Sequence, residues 1–483
     1  MKTIFITIIM MLLPILASAE PVEVDGLNYL LNEEEKTATV TSSNYEGVLV
    51  IPEAIKVENV DYVVTAIDDY AFRENNNLIS VTIPASVKTI GMAAFTSCIT
   101  LSSVKIGDGV EEIGHRAFCY CVNLQAVHIG KKVKKINDGV FLDCNSLNQI
   151  YISDMCMWFN IDFYSESSNP LTYAHHIYHD KREIKDLIVP EGIDVIKQYA
   201  FIGGSNIKSL ALNNSVKRID YCAFSGCSSL NTVSFPESIS YIGRYAFNGC
   251  TNLEELILPE GITTINDYSF SGCTNLKKVE LPQSLLLINS GAFDGCAGLK
   301  NITIPSNVEL INTYAFNFSS TENVYFFLKV DYPPTTYENS FPSNSKFYVP
   351  DSSIEPYQNV EPWSSFDIHT FSGSGPEKCV APVVSYKNGV LSFSSETPDA
   401  EFHYVITSSD GQKNVGNSLN ISGNCVVSVY ASKKGYEDSE TVTSEINIIG
   451  KLGDVNRDGE VNVADHVKLT EIIMEQTNAG DKE

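Results

Sequence analysis

Positively charged residues are few in this chain of 483 residues. It has 33 lysines and arginines against 59 aspartates and glutamates, so its net charge is −26. A surface of that sign repels nucleic-acid phosphates and anionic lipid headgroups over a Debye length. Nucleic-acid binding is therefore not predicted, whereas a basic partner or calcium is compatible with the charge.

Long apolar runs are also missing beyond the first residues. The run at residues 4–16 is too short to cross about 30 Å of hydrocarbon, and no later run reaches about 18 residues. It follows Lys2 and ends at Ala17-Ser18-Ala19, a small-residue pattern that signal peptidase cleaves. We expect residues 1–19 to be a signal peptide removed near Ala19, and a secreted or cell-surface protein with no transmembrane segment after cleavage.

The short motifs of common catalytic sites are absent. The sequence has no G-x-S-x-G, no H-E-x-x-H, no G-x-x-x-x-G-K-[ST] and no G-x-G-x-x-G. Its acidic residues do not form the carboxylate pair of a catalytic site. The sequence therefore predicts a protein that is not an enzyme.

Three histidines are the residues that come closest to the pattern of a zinc site. Two of them, His175 and His179, are four residues apart and would share one face of a helix, with His176 beside them. No glutamate follows as in H-E-x-x-H. A structural role is favoured over zinc binding.

What the chain does have is an aromatic residue at a fixed spacing. A step of 23 residues relates the members of two series, and the gap between the series is 178 − 141 = 37 residues, one period plus 14. A period of this length predicts one supersecondary unit per repeat, stacked on its neighbours. The first series is Phe72, Phe95, Phe118 and Phe141; the second is Tyr178, Phe201, Phe224, Phe247, Phe270, Phe293 and Phe316.

Each repeat begins with alternating apolar residues that end at a proline, as at residues 78–84. Alternation is typical of a strand, and proline ends it because it cannot donate to a ladder. We predict one short parallel strand per coil. The aromatic residue after it, such as Phe95, is predicted to be a buried plug on the return side.

A cysteine follows the aromatic residue by three positions in seven repeats. Equivalent residues in stacked coils are about 4.8 Å apart with parallel side chains, which is too far for an unstrained disulfide. We predict buried free thiols that pack as small apolar groups. They are Cys98, Cys121, Cys144, Cys227, Cys250, Cys273 and Cys296.

These repeats resemble the BspA-like leucine-rich repeat family, whose repeat has the form L-x-x-V-x-I-P, then V-x-x-I-G-x-x-A-F-x-x-C. The resemblance covers about residues 22–371 and includes an N-terminal capping hairpin at residues 25–40 and a C-terminal capping segment with Trp363 and Phe366. It implies a solenoid, mainly β, that is displayed at a microbial cell surface and binds host proteins or other cells. We expect the N-terminal cap and first coil at 20–70, the solenoid at 71–328 and the C-terminal cap at 329–372.

One residue of each strand lies between two inward-facing positions and faces the surface that partners usually bind. Four members of this row, His128, Tyr151, Ile188 and Ile257, are larger or more apolar than a solvated face requires. We therefore predict a partner-binding patch there. The alternative is that they are scattered exposed residues, which are normal on protein surfaces. The other members are Thr82, Lys105, Ala211, Ser234, Glu280 and Thr303.

The 14 additional residues follow Phe141. Insertions in solenoids often bind partners, but residues 169–178 resemble a variant repeat of the family. We predict an irregular coil whose large residues belong to the core. They are Met155, Met157, Trp158, Phe159, Phe163 and Tyr164.

The 23-residue frame is absent from residues 379–449. Alternating stretches separated by turn pairs such as Asn388-Gly389 predict a small β-sandwich that resembles fibronectin-type or chitobiase-C-terminal modules. A spacer role is favoured over weak glycan or protein binding. Whether Cys379 and Cys425 form a bridge is left open.

The last motif, at residues 454–465, has the oxygen spacing of a calcium loop. Gly459 permits the sharp turn, and Glu460 would bind through its backbone carbonyl. With the helix that follows, residues 453–476 resemble one calcium loop of a dockerin. A dockerin carries two such loops, so a cohesin-like partner is left open. The other predicted ligands are Asp454, Asn456, Asp458, Asn462 and Asp465.

Two functions are compatible with these features. The first is adhesion to host extracellular proteins or to other cells. The second is a non-catalytic role in an extracellular glycan-binding or glycan-degrading assembly, docked through the C-terminal tail.

Overall fold

The structure is a computed structural model. It describes residues 20–318, 324–329, 332–371, 379–387, 390–408, 418–420, 425–433 and 438–446. The expected signal peptide and the expected calcium loop lie outside the described residues. None of the helices in the described ranges is both long enough and apolar enough to span a membrane.

The described chain begins with an antiparallel meander. Strands β1 (Val22–Val24), β2 (Leu27–Asn32) and β3 (Thr37–Val40) pair in sequence. Strand β3 then pairs in parallel with β6 (Val60–Ile67), which forms a hairpin with β5 (Ala54–Val57). Apolar residues of β2, β3 and β6 are buried on one face, so the meander covers the first coil.

A first set of strands forms one side of the coils. It is divided among several sheets, and within each sheet its members pair in parallel with their equivalents in adjacent coils. Val81, Val104 and Val127 are in register in three successive coils and are fully or almost fully buried. The set comprises β4 (Gly47–Val50), β7 (Leu78–Thr82), β9 (Ser103–Lys105), β11 (Ala126–Ile129), β13 (Gln149–Ile152), β15 (Ile177–His179), β17 (Asp186–Ile188), β19 (Ser209–Ala211), β21 (Thr232–Ser234), β23 (Glu255–Ile257), β25 (Lys278–Glu280) and β27 (Asn301–Ile304).

Each coil also has a second strand of two residues, so the prediction of one strand per coil was wrong. Buried residues such as Ile90, Ile113 and Ile136 hold these segments against the core while their backbones pair with adjacent coils. The second set comprises β8 (Thr89–Ile90), β10 (Glu112–Ile113), β12 (Lys135–Ile136), β14 (Asp162–Phe163), β18 (Val195–Ile196), β20 (Arg218–Ile219), β22 (Tyr241–Ile242), β24 (Thr264–Ile265), β26 (Leu287–Ile288) and β28 (Leu310–Ile311).

The chain divides into two compact units. The first contains Met1–Leu253 and Asn266–Thr274, and the second contains Glu254–Ile265 and Asn275–Glu483. Coils of the 23-residue type occur in both units. The fold is the predicted leucine-rich repeat solenoid.

Stacked phenylalanines fill the return side of the coils. Phe72 and Phe95 have ring centroids 5.0 Å apart and nearly parallel planes, and Phe201 and Phe224 are 5.5 Å apart. Ten of the eleven predicted plugs are buried, but Tyr178 is not a plug. It lies on β15, paired with Tyr151 of β13, and is partly exposed.

The prediction of buried free thiols is confirmed. All seven cysteines are free and buried. Their Sγ atoms donate to backbone carbonyls in the preceding coil, as in Cys98 Sγ to Phe72 O at 3.0 Å, and the same contact is seen for Cys121, Cys144, Cys227, Cys250 and Cys273. Burial raises the pKa of the Cys98 thiol to about 12, so the group remains protonated and can donate.

The insertion is an irregular coil built on a short helix. Helix α1 (Met155–Asn160) buries Trp158 and Phe159, and the Trp158 Nε1 donates to Ala200 O at 2.9 Å. Phe159 contacts Phe201 with ring centroids 5.0 Å apart. A second helix, α2 (Leu171–Ala174), follows the 3-10 turn Glu166–Ser168. Of the predicted core residues, Met157 and Phe163 are also buried, Met155 is partly buried, and Tyr164 is exposed.

Aromatic residues pack together after the last coil. Strands β29 (Val324–Leu328), β30 (Ser345–Pro350) and β31 (Ile368–Phe371) extend the sheet of β27 in parallel. Between them lie α3 (Ile354–Gln358) and the 3-10 turns Glu338–Ser340, Asp351–Ser353 and Trp363–Ser365. The Trp363 Nε1 donates to Pro334 O at 2.8 Å, and its ring contacts Phe341, Phe347 and Phe366.

Two antiparallel sheets of three strands follow. Leu391, Phe393, Val427 and Val429 form their shared core. Cys379 is a free buried thiol. The Cys425 side chain, the other half of the bridge that the sequence left open, lies outside the described residues. One sheet contains β32 (Val383–Lys387), β33 (Val390–Ser394) and β35 (Ser418–Asn420), and the other contains β34 (Glu401–Ser408), β36 (Cys425–Ser432) and β37 (Val442–Ile446).

Candidate functional site

The solvent side of the first strand set, which we call the strand face, carries the row that the sequence analysis singled out. Thr82, Lys105, His128 and Tyr151 are register partners on β7, β9, β11 and β13, and Tyr178 continues the row on β15. Their neighbours in each strand are buried, except His179 beside Tyr178, which is partly exposed. Alternation along the strands therefore directs this row away from the core.

Three rings of the row stack on one another. The centroids of His128 and Tyr151 are 4.5 Å apart with planes 14° from parallel, and those of Tyr151 and Tyr178 are 5.2 Å apart. The Tyr151 hydroxyl donates to Gln149 Oε1 at 3.0 Å, which fixes the direction of the ring. We call His128, Tyr151 and Tyr178 the aromatic row.

The electrostatic environment of the aromatic row differs at its two ends. Burial lowers the pKa of His128, and the positive charge of Lys105 lowers it further. The imidazole is therefore neutral at neutral pH. Burial, followed by the charge of Glu183, raises the pKa of Tyr178. The row therefore presents a neutral imidazole and a protonated phenol between a lysine and a carboxylate.

A short hairpin ends this sheet beside Tyr178. Strand β16 (Arg182–Glu183) pairs with β15 in antiparallel fashion through a two-residue turn. The turn residues Asp180 and Lys181 both have positive φ angles, 49° and 64°, as a tight hairpin turn requires. Glu183 is held by His176 at 2.5 Å and by Asn206 at 2.6 Å.

The other two predicted patch residues lie elsewhere. Ile188, on β17, is 71% exposed, but β17 belongs to a different sheet from the aromatic row. Ile257, on β23, is 42% exposed and belongs to a third sheet. The structure thus brings His128 and Tyr151 together and leaves Ile188 and Ile257 outside their sheet.

Tyr178 is the residue of this surface that the sequence analysis missed. Its spacing to Phe201 is 23 residues, which placed it in the plug series. The alternation in Ile177-Tyr178-His179 matches that in Ile150-Tyr151-Ile152 and was the available signal. Val48 and Val50 on β4 are also exposed apolar residues, and the sequence did not predict them as part of this surface.

The three histidines do not form a metal site. His175 ends α2 in the left-handed conformation and its Nδ1 lies 2.8 Å from Gly203 O, whereas His179 lies on β15. They therefore do not share a helix face. Among the described residues, no group of three or more histidine, cysteine, aspartate or glutamate side chains is arranged to hold a metal ion.

The family model described as BspA type leucine-rich repeat region matches residues 65–176, 172–285 and 241–347 in six copies. These segments cover more than half of the chain. The chain belongs to this family. A comparison with curated proteins returns no match.

Several solved structures are similar to this leucine-rich repeat chain. A leucine-rich cell surface protein of Faecalibacterium prausnitzii is 25% identical, and the match covers 58% of this chain and 93% of that one with a TM-score of 0.30. A leucine-rich repeat protein of Bacteroides ovatus is 20% identical, with coverage of 73% and 100% and a TM-score of 0.38. One from Bacteroides capillosus is 31% identical, with coverage of 28% and 99% and a TM-score of 0.26. The family assignment rests on the repeat match, because these TM-scores are low.

Proposed function

We propose that this protein is a secreted or cell-surface binding protein and that its aromatic row contacts an extracellular protein. The observation that carries the proposal is the stacking of His128, Tyr151 and Tyr178 on the solvent side of one sheet. Leucine-rich repeat surface proteins of this family have protein-binding or adhesive roles. The proposed role is non-catalytic, as is typical of this fold.

The chemistry of the row fits a protein partner. Tyrosine rings supply a large contact area, lose little conformational entropy and are enriched at the energetic centres of protein interfaces. Here the rings are already ordered by stacking and by the Tyr151–Gln149 hydrogen bond. Binding would therefore cost little further ordering of these side chains.

Binding to a panel of immobilised extracellular matrix proteins, measured by surface plasmon resonance, tests the proposal. We expect Tyr151→Ala to weaken binding about 30-fold or more, since loss of a central aromatic residue costs about 2 kcal/mol or more. Tyr164→Ala is the matched control, because Tyr164 is 67% exposed and lies outside the strand face. Equal loss in both variants would contradict a role for the aromatic row.

A glycan array addresses the alternative function. Tight binding to polysaccharide with no binding to matrix proteins would contradict adhesion. It would favour a non-catalytic role in an extracellular glycan-binding or glycan-degrading assembly. Ile188→Ala and Ile257→Ala, tested on whichever ligand binds, show whether the predicted patch extends beyond the aromatic row.

We also infer that residues 1–19 are a cleaved signal peptide and that the C-terminal loop binds calcium. Both inferences are supported by residue pattern alone. Six to eight oxygen ligands satisfy calcium, and the loop supplies side chains and one backbone carbonyl at the required positions. The proposed ligands are Asp454, Asn456, Asp458, Glu460, Asn462 and Asp465.

A further inference from the structure

The strand face of the second unit carries a lysine that is almost fully buried. Lys278, on β25, has 3% of its side chain exposed, whereas its neighbour Lys277 has 49% exposed. Leucine-rich repeat strands direct alternate residues outward, and a lysine in such a position is ordinarily solvated. Something must therefore cover Lys278.

The two sheets formed by strands β32 to β37, which we call the C-terminal sandwich, bury Lys278. The Lys278 Nζ donates to Thr441 Oγ1 at 2.6 Å and lies 3.9 Å from the centroid of the Tyr430 ring. On the coil side the same Nζ pairs with Glu255 at 3.2 Å and with Glu280 at 2.6 Å. One ammonium thus joins two coil strands to two residues of the sandwich.

The Thr441 hydroxyl links Lys278 and Glu255 into one hydrogen-bond network. The Thr441 hydroxyl, which accepts from Lys278, donates to Glu255 Oε1 at 2.9 Å. Burying a charge is unfavourable unless hydrogen bonds and an opposite charge surround it. Here the ion pairs, the hydroxyl and the aromatic ring together offset the desolvation of Lys278.

The sandwich also brings a carboxyl group to this cluster. Burial raises the pKa of Asp438 to about 7; the charge of Lys278 and a hydrogen bond with Asn301 oppose the rise. In the described part of the chain, Asp438 Oδ1 is buried without a hydrogen-bond partner. The titratable and charged groups that face Asp438 or line the adjoining cavity of about 310 Å³ are Glu255, Lys278, Glu280, Lys329, Cys379, Tyr430 and Glu440.

Charge balance shows which form of Asp438 suits the docked state. Lys278 supplies one positive charge, and Glu255 and Glu280 already supply two negative charges at contact distance. An ionised Asp438 adds a third negative charge to a poorly solvated space. A protonated Asp438 adds none.

We propose that the C-terminal sandwich is a pH-sensitive latch on the strand face of the second unit, held closed by Lys278 and loosened when Asp438 ionises. This replaces the spacer role that the sequence favoured. It goes beyond the proposed binding function and does not depend on it. It assigns the strand face around Lys278 to a segment of the same chain and not to an external partner.

The direction of the pH dependence follows from linkage. The pKa of Asp438 is about 7 when docked, against an ordinary value of 3.8 when released into water, so docking takes up a proton. Docking is strongest below about pH 4, weakens about tenfold per pH unit up to about pH 7, and is constant above that.

Hydroxyl-radical footprinting of the full chain, read by mass spectrometry, tests the latch. Tyr430 is 3% exposed and serves as the probe, and Tyr164, which is 67% exposed, serves as the internal reference. We expect Tyr430 labelling relative to Tyr164 to rise as the pH rises toward about 7 and then to level off. Asp438→Asn cannot ionise, so its Tyr430 labelling should stay low at every pH.

Two lysine variants complete the test. Lys278→Met should raise Tyr430 labelling at every pH, whereas Lys208→Met, which removes an exposed lysine just before β19, should leave it unchanged.

Tyr430 labelled as fast as Tyr164 in the unmodified chain at every pH would overturn the latch. Labelling that is independent of pH, or that rises equally in Asp438→Asn, would overturn the role of Asp438. Because Asp438→Asn is expected to tighten docking, the proposal stays testable if Lys278→Met does not fold. Footprinting requires no partner, so its failure is distinct from failure of the binding proposal.

Discussion

The phenylalanine on the return side is the residue on which each coil depends. Phe118 has no exposed surface and stacks between Phe95 at 5.1 Å and Phe141 at 5.8 Å. Parallel, offset rings bury large apolar areas, and each pair contributes about 0.5–1.5 kcal/mol beyond that burial. Because each coil contacts only its neighbours, one ring supports three coils.

Replacing Phe118 with alanine should therefore lower the free energy of unfolding by about 3–5 kcal/mol, because it leaves a cavity that the stacked coils cannot close. Urea denaturation followed by circular dichroism measures the effect. The control is Tyr120→Ala, since Tyr120 is two residues away and 48% exposed. Its effect should be within about 0.5 kcal/mol, and an equal loss in the two variants would show that Phe118 is not a structural plug.

The cysteine three residues later has a complementary role. Its thiol donates to the backbone carbonyl of the phenylalanine in the preceding coil, as Cys121 does to Phe95 O at 3.1 Å. Burial holds the pKa of the Cys121 thiol well above the ordinary value, so this thiol acts as a donor and a small apolar group and not as a nucleophile. Sequence spacing alone excluded the disulfide, but only the structure shows the carbonyl that each thiol contacts.

At the level of the elements, helix α1 is the largest departure from the 23-residue coil. Asp154 caps it, and its side chain accepts a hydrogen bond from the Met157 backbone amide at 2.9 Å. The cap orders a helix of six residues that is too short to be stable by itself. What holds the helix in place is the burial of Trp158 and Phe159.

Loss of the cap should destabilise this element. We expect Asp154→Ala to lower the free energy of unfolding by about 1 kcal/mol, because it leaves the Met157 amide without its acceptor. Hydrogen exchange should show faster exchange across α1 than in the unmodified protein. Ser153→Ala, at the exposed residue before the cap, is the control, and the same increase in exchange there would contradict a capping role.

The same insertion explains why Tyr178 was misassigned. The coil that contains α1 is longer, so the step from Tyr151 to Tyr178 is 178 − 151 = 27 residues. Counting in steps of 23 from Phe201 reaches Tyr178 by coincidence. Pairing of Ile150 with Ile177 sets the register instead, because both side chains must be buried on the same side of the sheet.

At the scale of the whole molecule, the negative charge makes a cation a reasonable partner. The chain carries a net charge of −26, and the proposed calcium loop concentrates carboxylates near its C-terminus. Binding of a divalent ion would offset repulsion among these groups and supply the ligand geometry they require.

Isothermal titration calorimetry of the full chain with calcium tests this proposal. The unmodified protein should bind calcium, and Asp454→Ala should abolish or greatly weaken binding, because it removes the first ligand of the loop. Asp481→Ala removes an equal charge outside the loop and should bind like the unmodified protein. Absence of binding heat in the unmodified chain, or retention of binding in Asp454→Ala, would contradict the calcium loop.

The amino-acid sequence by itself determined the repeat unit, the buried phenylalanines and the free thiols. These follow from a fixed period, because stacked identical units must bury the same positions in every coil. Only the tertiary structure decided which residues meet across coils. It joined Tyr178 to His128 and Tyr151, separated Ile188 and Ile257 from them, and placed the C-terminal sandwich over Lys278. Contacts of this kind depend on strand register and on packing between segments distant in the chain, and neither is encoded in a local spacing of residues.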